Sequence, residues 1–175
     1  MLTRLIPSRL LSGLTALLIA CGGPGGGAGN VSAPSTPSLS GLAAIGMALA
    51  NASVTLKDRT GKTETSTTDE SGNFNFNNVS SLTPPLMLQV KGSAAGISYV
   101  LHSVMTSAPA QGTNTLNVTP ATDAITTQTL GSDPANIFAD AEKIKQIDPQ
   151  KLADAKAKLV AALNGVFTAI KHLSI

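Results

Sequence analysis

Hydrophobic and polar residues alternate with a period of two through the middle of the chain. Ala52, Val54 and Leu56 interleave with Ser53, Thr55 and Lys57, the spacing of a strand with one buried face. Phe74 and Phe76 share one face of Asn73-Phe74-Asn75-Phe76-Asn77, with the asparagines on the other. Leu86, Leu88 and Val90 alternate with Met87, Gln89 and Lys91. Residues 62–68 are polar and threonine-rich, suiting an exposed strand. Residues 97–104 are apolar on both faces, which predicts a central strand, and a last short strand is expected over about 115–118. Asp58-Arg59-Thr60-Gly61, Asp69-Glu70-Ser71-Gly72 and the break at Pro84-Pro85 supply turn chemistry between these segments. Short strands separated in this way predict a sandwich or barrel over residues 42–118. Its core is expected to include Val54, Leu56, Phe74, Phe76, Leu88 and Val90.

From Thr119 onward the period becomes helical. Thr119-Pro120, Asp133-Pro134 and Asp148-Pro149 each place a capping side chain before a proline at the first helical position. There the missing N–H costs nothing and the fixed φ suits the helix. In the third predicted helix Leu152, Ala155, Leu159, Leu163, Val166, Phe167 and Ile170 form one apolar stripe. Gly165 interrupts it and lowers its helix propensity. Such a stripe ordinarily packs on its own domain, which is the expectation for residues 119–175; docking on a partner is the alternative. The fold class predicted is α+β: an antiparallel β-sandwich of about seven strands, then a small helical C-terminal segment.

The N-terminal part has neither period. Arg4 and Arg9 precede an apolar run over residues 10–20, and Leu18-Ile19-Ala20 lead directly to Cys21. A basic opening, a short apolar core and small residues at a cut point describe a secretory signal over residues 1–20. A cysteine as the next residue resembles the lipobox of bacterial lipoproteins, which implies acylation of Cys21. The alternative is a signal cut elsewhere, with Cys21 kept as a free thiol. Residues 21–41, rich in Gly, Ser and Pro, read as a flexible tether. Neither the run at 10–20 nor that at 42–50 reaches the roughly 20 residues a membrane-spanning helix needs.

Composition narrows the classes. Cys21 is the only cysteine of 175 residues, so no intramolecular disulfide and no thiolate metal cage are expected. Processing would take Arg4 and Arg9 from 12 basic residues and leave a chain near neutrality against 10 acidic ones. With no Trp and only Tyr99 among tyrosines, nothing suggests a basic, aromatic nucleic-acid surface.

Two stretches carry a family resemblance. The first is Gly46-Met47-Ala48-Leu49-Ala50-Asn51-Ala52-Ser53-Val54-Thr55-Leu56, followed by Asp58, Gly61, Thr67-Thr68-Asp69 and Gly72-Asn73-Phe74. It resembles the carboxypeptidase regulatory-like domain, a prealbumin-like β-sandwich of about seven strands. Ala48 and Asn51 stand where that family usually has proline and glycine. The second, Asn117-Val118-Thr119-Pro120-Ala121-Thr122-Asp123 with Asp133-Pro134, is similar to the junction in Gram-negative lipoproteins that carry such a domain before a helical region. The resemblance implies a scaffold without catalytic activity, so function must be argued from a site.

Candidate chemistry is sparse. Asp69, Glu70, Ser71 and Asn73 cluster around Gly72, yet an EF-hand loop counted from Asp69 has Ser80 where the twelfth-position Glu belongs; a turn is the expected role. His102 and His172 are far apart with no carboxylate close in sequence, and a zinc site wants three or four ligands. No Gly-x-Ser-x-Gly elbow occurs. Asp123 reads as a first-turn charge favoured by the helix dipole. The Asn-x-Ser/Thr sequences at Asn51, Asn78 and Asn117 are read as incidental. No catalytic, cofactor or metal residue is nominated.

The functional expectation is a non-enzymatic, lipid-anchored envelope protein whose sandwich is a structural or binding module. An envelope protein or a glycan is the expected partner class, and nucleic acid is not. Gly22 rather than Asp after Cys21 points to sorting onward to the outer membrane, facing the periplasm or the cell surface. Two alternatives stand beside this reading. One is an accessory subunit of an export or surface complex docking through its C-terminal helix. The other is a hydrolase with an unrecognised site.

Overall fold

The computed structural model describes residues 35–173. The signal at 1–20, Cys21 and most of the tether lie outside the described residues. Seven strands come first: β1 (Ser38–Leu42), β2 (Ser53–Asp58), β3 (Thr63–Thr67), β4 (Asn73–Phe76), β5 (Leu86–Ala94), β6 (Ile97–Met105) and β7 (Thr113–Thr115). Four helices follow: α1 (Pro120–Leu130), α2 (Pro134–Ala139), α3 (Ala141–Lys145) and α4 (Pro149–Leu173).

The strands form two sheets, β4-β1-β7 and β3-β2-β5-β6. All pairings are antiparallel except β1 with β7, which run parallel. The alternation seen in sequence becomes one core between the sheets. Leu39, Val54, Leu56, Phe74, Phe76, Leu88, Val90 and Val118 are all buried in it, and the rings of Phe74 and Phe76 meet edge to face at 6.1 Å. The α+β sandwich with a C-terminal helical segment is therefore the observed architecture, and the six expected core residues are all inside.

The β-structured region begins at Ser38, inside the segment expected to be tether up to residue 41. β1 is short and small-residued, so it carries little hydrophobic signal, but it is the middle strand of its sheet. Gly41 shows why small residues are needed there. A Cβ at that position would lie 2.2 Å from the Leu116 carbonyl oxygen and 2.6 Å from Cζ of Phe74. The last strand is also displaced, to Thr113–Thr115, with Val118 adding a single parallel bridge to Ala43.

The inner strands of the larger sheet are β2 and β5, while β6, expected to be central, is an edge. The reason is that β6 buries both faces only over part of its length. Leu101 to Val104 are buried one after another, whereas Ile97 and Val100 are exposed. Beyond the sandwich core, the outer face of this sheet carries a second one. Met87 and Val104 pack there with Ile144, Ile147 and Leu152, flanked by Ile125, Leu130, Ile137 and Phe138.

The helices start where their caps predict. Thr119 and Thr122 form a reciprocal capping box at α1, Asp133 accepts from the Ala135 N–H at α2, and Asp148 accepts from the Gln150 N–H at α4. The short α3, capped by Asp140, has five residues and too little periodicity to be read from sequence. In α4 the expected internal packing holds only at the base. Leu152 and Ala155 are buried, but Val160, Leu163, Val166, Phe167 and Ile170 are between 45% and 61% exposed.

Asp58 closes the β2–β3 turn. It is 1% exposed, yet its Oδ1 accepts from the Thr60 N–H and hydroxyl at 2.7 Å each and from the Lys62 N–H at 3.0 Å. Its Oδ2 accepts from the Thr83 N–H at 2.9 Å. Burial pushes against ionisation, but these donors outweigh it and hold the carboxyl below the usual carboxylate range.

Candidate functional site

The outer face of the larger sheet grades from dry to wet along its strands. On β5 the sequence of outward residues is Met87, Gln89, Lys91; paired with them on β6 are Val104, His102 and Val100. Met87 and Val104 lie under the helices, Gln89 and His102 at their margin, Lys91 and Val100 beyond it. At this margin is a cleft of about 570 Å³, floored by the sheet and walled by α1 and α2. Its lining includes Lys57, Gln89, Lys91, His102, Asp123 and Phe138.

A polar relay runs through the floor. Nε2 of His102 is 2.9 Å from Nε2 of Gln89, and Nδ1 of His102 is 3.0 Å from Oδ1 of Asp123. Where the Gln89 amide donates, Nε2 of the imidazole is the acceptor and Nδ1–H donates to Asp123. The same Oδ1 accepts from the His102 backbone N–H at 2.8 Å, and the Thr122 hydroxyl donates to the His102 carbonyl at 3.3 Å. Two side chains of α1 thus take up backbone groups that an edge strand would otherwise leave unpaired.

The carboxylate that the sequence reading did not find near His102 is Asp123, 21 residues away. Its charge does face the first turn of α1, as expected, but it also anchors the strand. No signal in the sequence joins the two, because only the crossing of β6 by α1 brings them together. His172 falls within the span of α4, its side chain outside the described residues.

Lys57 is the other organiser of the cleft. Its Nζ donates to the Phe138 and Ala139 carbonyls at 2.9 and 3.3 Å, neutralising the C-terminal end of α2. It also lies 5.5 Å from the centre of the Phe138 ring, within range of a cation–π contact. That ring tilts against His102 at 6.2 Å between centroids. The hydrogen bonds of Asp123 to His102 both use its Oδ1, and Asp123 and Lys91 both line the cleft. An amphipathic cleft with a few placed polar groups is the usual form of a small-ligand site.

Both nitrogens of the only described histidine ring are engaged, so neither is left to take a proton from a nucleophile. The Asp69 cluster forms a turn: Oδ1 accepts from the Ser71 and Asn73 N–H groups at 2.9 and 2.8 Å. The Asn73 side-chain and backbone donors chiefly hold that carboxyl below the usual range. No group of three or more His, Cys, Asp or Glu residues suited to a metal ion occurs among the described residues.

Comparison with protein-family models finds no match, and comparison with curated proteins finds none. Among solved structures, the chain is similar to a candidate carbohydrate-binding protein from Pseudomonas aeruginosa, at 11% sequence identity and a TM-score of 0.35. The alignment covers 49% of this chain and 89% of that one.

Proposed function

We propose that this chain is a non-enzymatic, lipid-anchored envelope protein of the outer membrane, in which the sandwich and its helical layer present the cleft at Gln89, His102 and Asp123 to a small polar ligand. The observation that carries the binding reading is the cleft itself. It combines an apolar wall at Phe138, a rigid polar floor and a lysine at the rim. A fully hydrogen-bonded floor is pre-organised, which lowers the cost of ordering on binding. Glycan or peptide fragments of the envelope fit the partner class, since both offer hydroxyl or amide donors for Asp123 and acceptors for Lys91. The anchor rests on the basic, apolar and Leu-Ile-Ala-Cys sequence of the N-terminus.

The test is direct. Soluble peptidoglycan fragments and outer-membrane oligosaccharides are titrated against the chain by calorimetry, with Lys91→Glu as the comparison. Binding by the wild type that Lys91→Glu weakens tenfold or more supports the reading; no heat from any probe at millimolar concentration sinks it. For the anchor, Cys21→Ser should abolish incorporation of labelled fatty acid, and equal labelling of that variant would overturn it. A hydrolase gains nothing from the geometry, since His102 is spent at both nitrogens. Docking through the C-terminal helix has a specific observation in its favour, the exposure of Val160, Leu163, Val166 and Phe167 on α4.

A further inference from the structure

The free edge of β6 borders the cleft, and its backbone chemistry can be assigned residue by residue. Ala95 and Gly96 join β5 to β6 with positive φ of 50° and 78°. In such a two-residue turn the flanking pair, Ala94 and Ile97, exchanges both backbone hydrogen bonds. The pattern then alternates along the register. Ile97, Tyr99 and Leu101 turn their N–H and C=O groups to β5, while Ser98, Val100 and His102 turn theirs away from it. At His102 the outward groups are taken: the N–H donates to Asp123 at 2.8 Å and the C=O accepts from the Thr122 hydroxyl at 3.3 Å. At Ser98 and Val100 they have no partner among the described residues.

This open stretch lacks the usual protection of an edge. Native edges are blunted by charges, prolines or bulges. Residues 97–101 read Ile-Ser-Tyr-Val-Leu, their register with β5 is unbroken, and Ile97 and Val100 are about half exposed. Val100 also lines the cleft. One border of the cleft is therefore a row of backbone donors and acceptors repeating about every 6.8 Å, two residues of strand. An extended peptide carries the same repeat on its own edge, whereas the hydroxyls of a sugar do not. A second copy of this chain fits less well. Pairing both Ser98 and Val100 with the same edge of a copy sets the copy's Gly96 opposite His102, where Asp123 and Thr122 already stand.

We propose that the cleft takes a peptide in extended conformation, which adds to β6 as an antiparallel strand. The proposal rests on the reading of the cleft as a binding site and names its ligand class. Val100 and Ser98 each exchange two hydrogen bonds with peptide residues two apart. The first of these residues sets its side chain beside Val100 on the outer face. Across Val100 on β5 is Lys91, exposed and without an ion pair among the described residues, so an acidic side chain suits that position. Peptide residues opposite Tyr99 and Ile97 face the sandwich side, where Tyr99 packs on the core, and apolar side chains suit them. Toward α1 the pairing ends at Val100, because Asp123 and Thr122 close the edge at His102. The segment recognised is acidic, apolar, polar, apolar, running away from α1.

The probe is acetyl-Glu-Val-Thr-Val-amide, added to the ¹⁵N-labelled full-length chain and followed by amide hydrogen exchange and calorimetry. Without peptide, Ser98 and Val100 should exchange much faster than Tyr99, Leu101 and His102. Saturating peptide should slow Ser98 and Val100 at least tenfold. N-methylation of the Glu or the Thr nitrogen, each of which faces β6, should weaken binding at least tenfold. N-methylation of the first Val nitrogen, which faces away, should leave it within twofold. Ser98→Pro removes only an outward N–H, which an edge strand tolerates, and should also weaken binding. Several results would overturn the proposal. Oligosaccharide binding that depends on Lys91, with none by the peptide, does so and leaves the cleft as a binding site. Peptide binding that neither protects Ser98 and Val100 nor distinguishes the methylated nitrogens does the same. Protection of Ser98 and Val100 that rises with protein concentration alone assigns the edge to a second copy. No binding by peptide or oligosaccharide removes both readings.

Discussion

The relay at the cleft floor makes a quantitative claim about Asp123. Its Oδ1 serves two donors of His102, the backbone N–H and the ring Nδ1–H, and His102 is 3% exposed. Asp123→Ala removes the acceptor for both. A buried donor left unsatisfied costs about 1–3 kcal/mol. Two of them set a ceiling near 6 kcal/mol, which the partial exposure of Asp123, 28% of its side chain, lowers by admitting water. The expected loss is about 2–4 kcal/mol. Asp123→Asn keeps an oxygen in the same place and gives up only the charge and its favourable position at the helix N-terminus, about 0.5–1 kcal/mol. Urea denaturation followed by circular dichroism measures both, with the midpoint shift read at constant slope. The reasoning fails if Asp123→Ala lies within 0.5 kcal/mol of the wild type on this scale, or if Asn is as damaging as Ala.

Three further expectations follow from the sandwich. Phe76→Ala, deep between the sheets, should cost about 3–5 kcal/mol, and an unchanged denaturation midpoint would show the core to be elsewhere. Gly41→Ala should destabilise strongly and shift the amide resonances of Leu116, because a methyl group there would sit 2.2 Å from a carbonyl oxygen that cannot swing away; a variant as stable as the wild type contradicts the close approach. Asp58 has a folded pKa below its ordinary value of 3.8, so its contribution is present above that value and is lost as pH falls through the lower folded one. The stability gap between wild type and Asp58→Asn should therefore be constant near neutrality and narrow below about pH 4; a gap that widens with acid has the opposite sign.

Much of the sandwich is legible because its information is local. Val54, Leu56, Phe74 and Phe76 announce their buried face through their neighbours, and Thr119, Asp133 and Asp148 mark helix starts with the proline that follows. β1 escaped because Ser-Leu-Ser-Gly-Leu has the side chains that a crowded middle strand requires, and these resemble a linker. β6 looked central because Leu101 to Val104 are hidden on both faces, on one by the other sheet and on the other by helices. Gln89, His102 and Asp123 were not legible as a group, since each reads alone as a strand or helix residue and only the packing of α1 across β6 assembles them. The stripe of α4 was visible in full, but where its burial stops depends on how far the domain extends beneath it.

The parallel pairing of β1 and β7 has a mechanical consequence. The chain enters β1 at its N-terminal end and leaves β7 at its C-terminal end toward α1, while Ser38, Leu39 and Ser40 lie opposite Thr113, Asn114 and Thr115. Tension between residues ahead of β1 and the helical region pulls the two strands in opposite directions along their length. The Ser38–Gly112, Ser40–Leu116 and Leu42–Val118 hydrogen bonds are then sheared together instead of opening one after another. A domain held at one end and loaded at the other therefore resists force with this whole seam at once, and it should yield far more easily when pulled across the β2–β3 hairpin, where the bonds would part in turn.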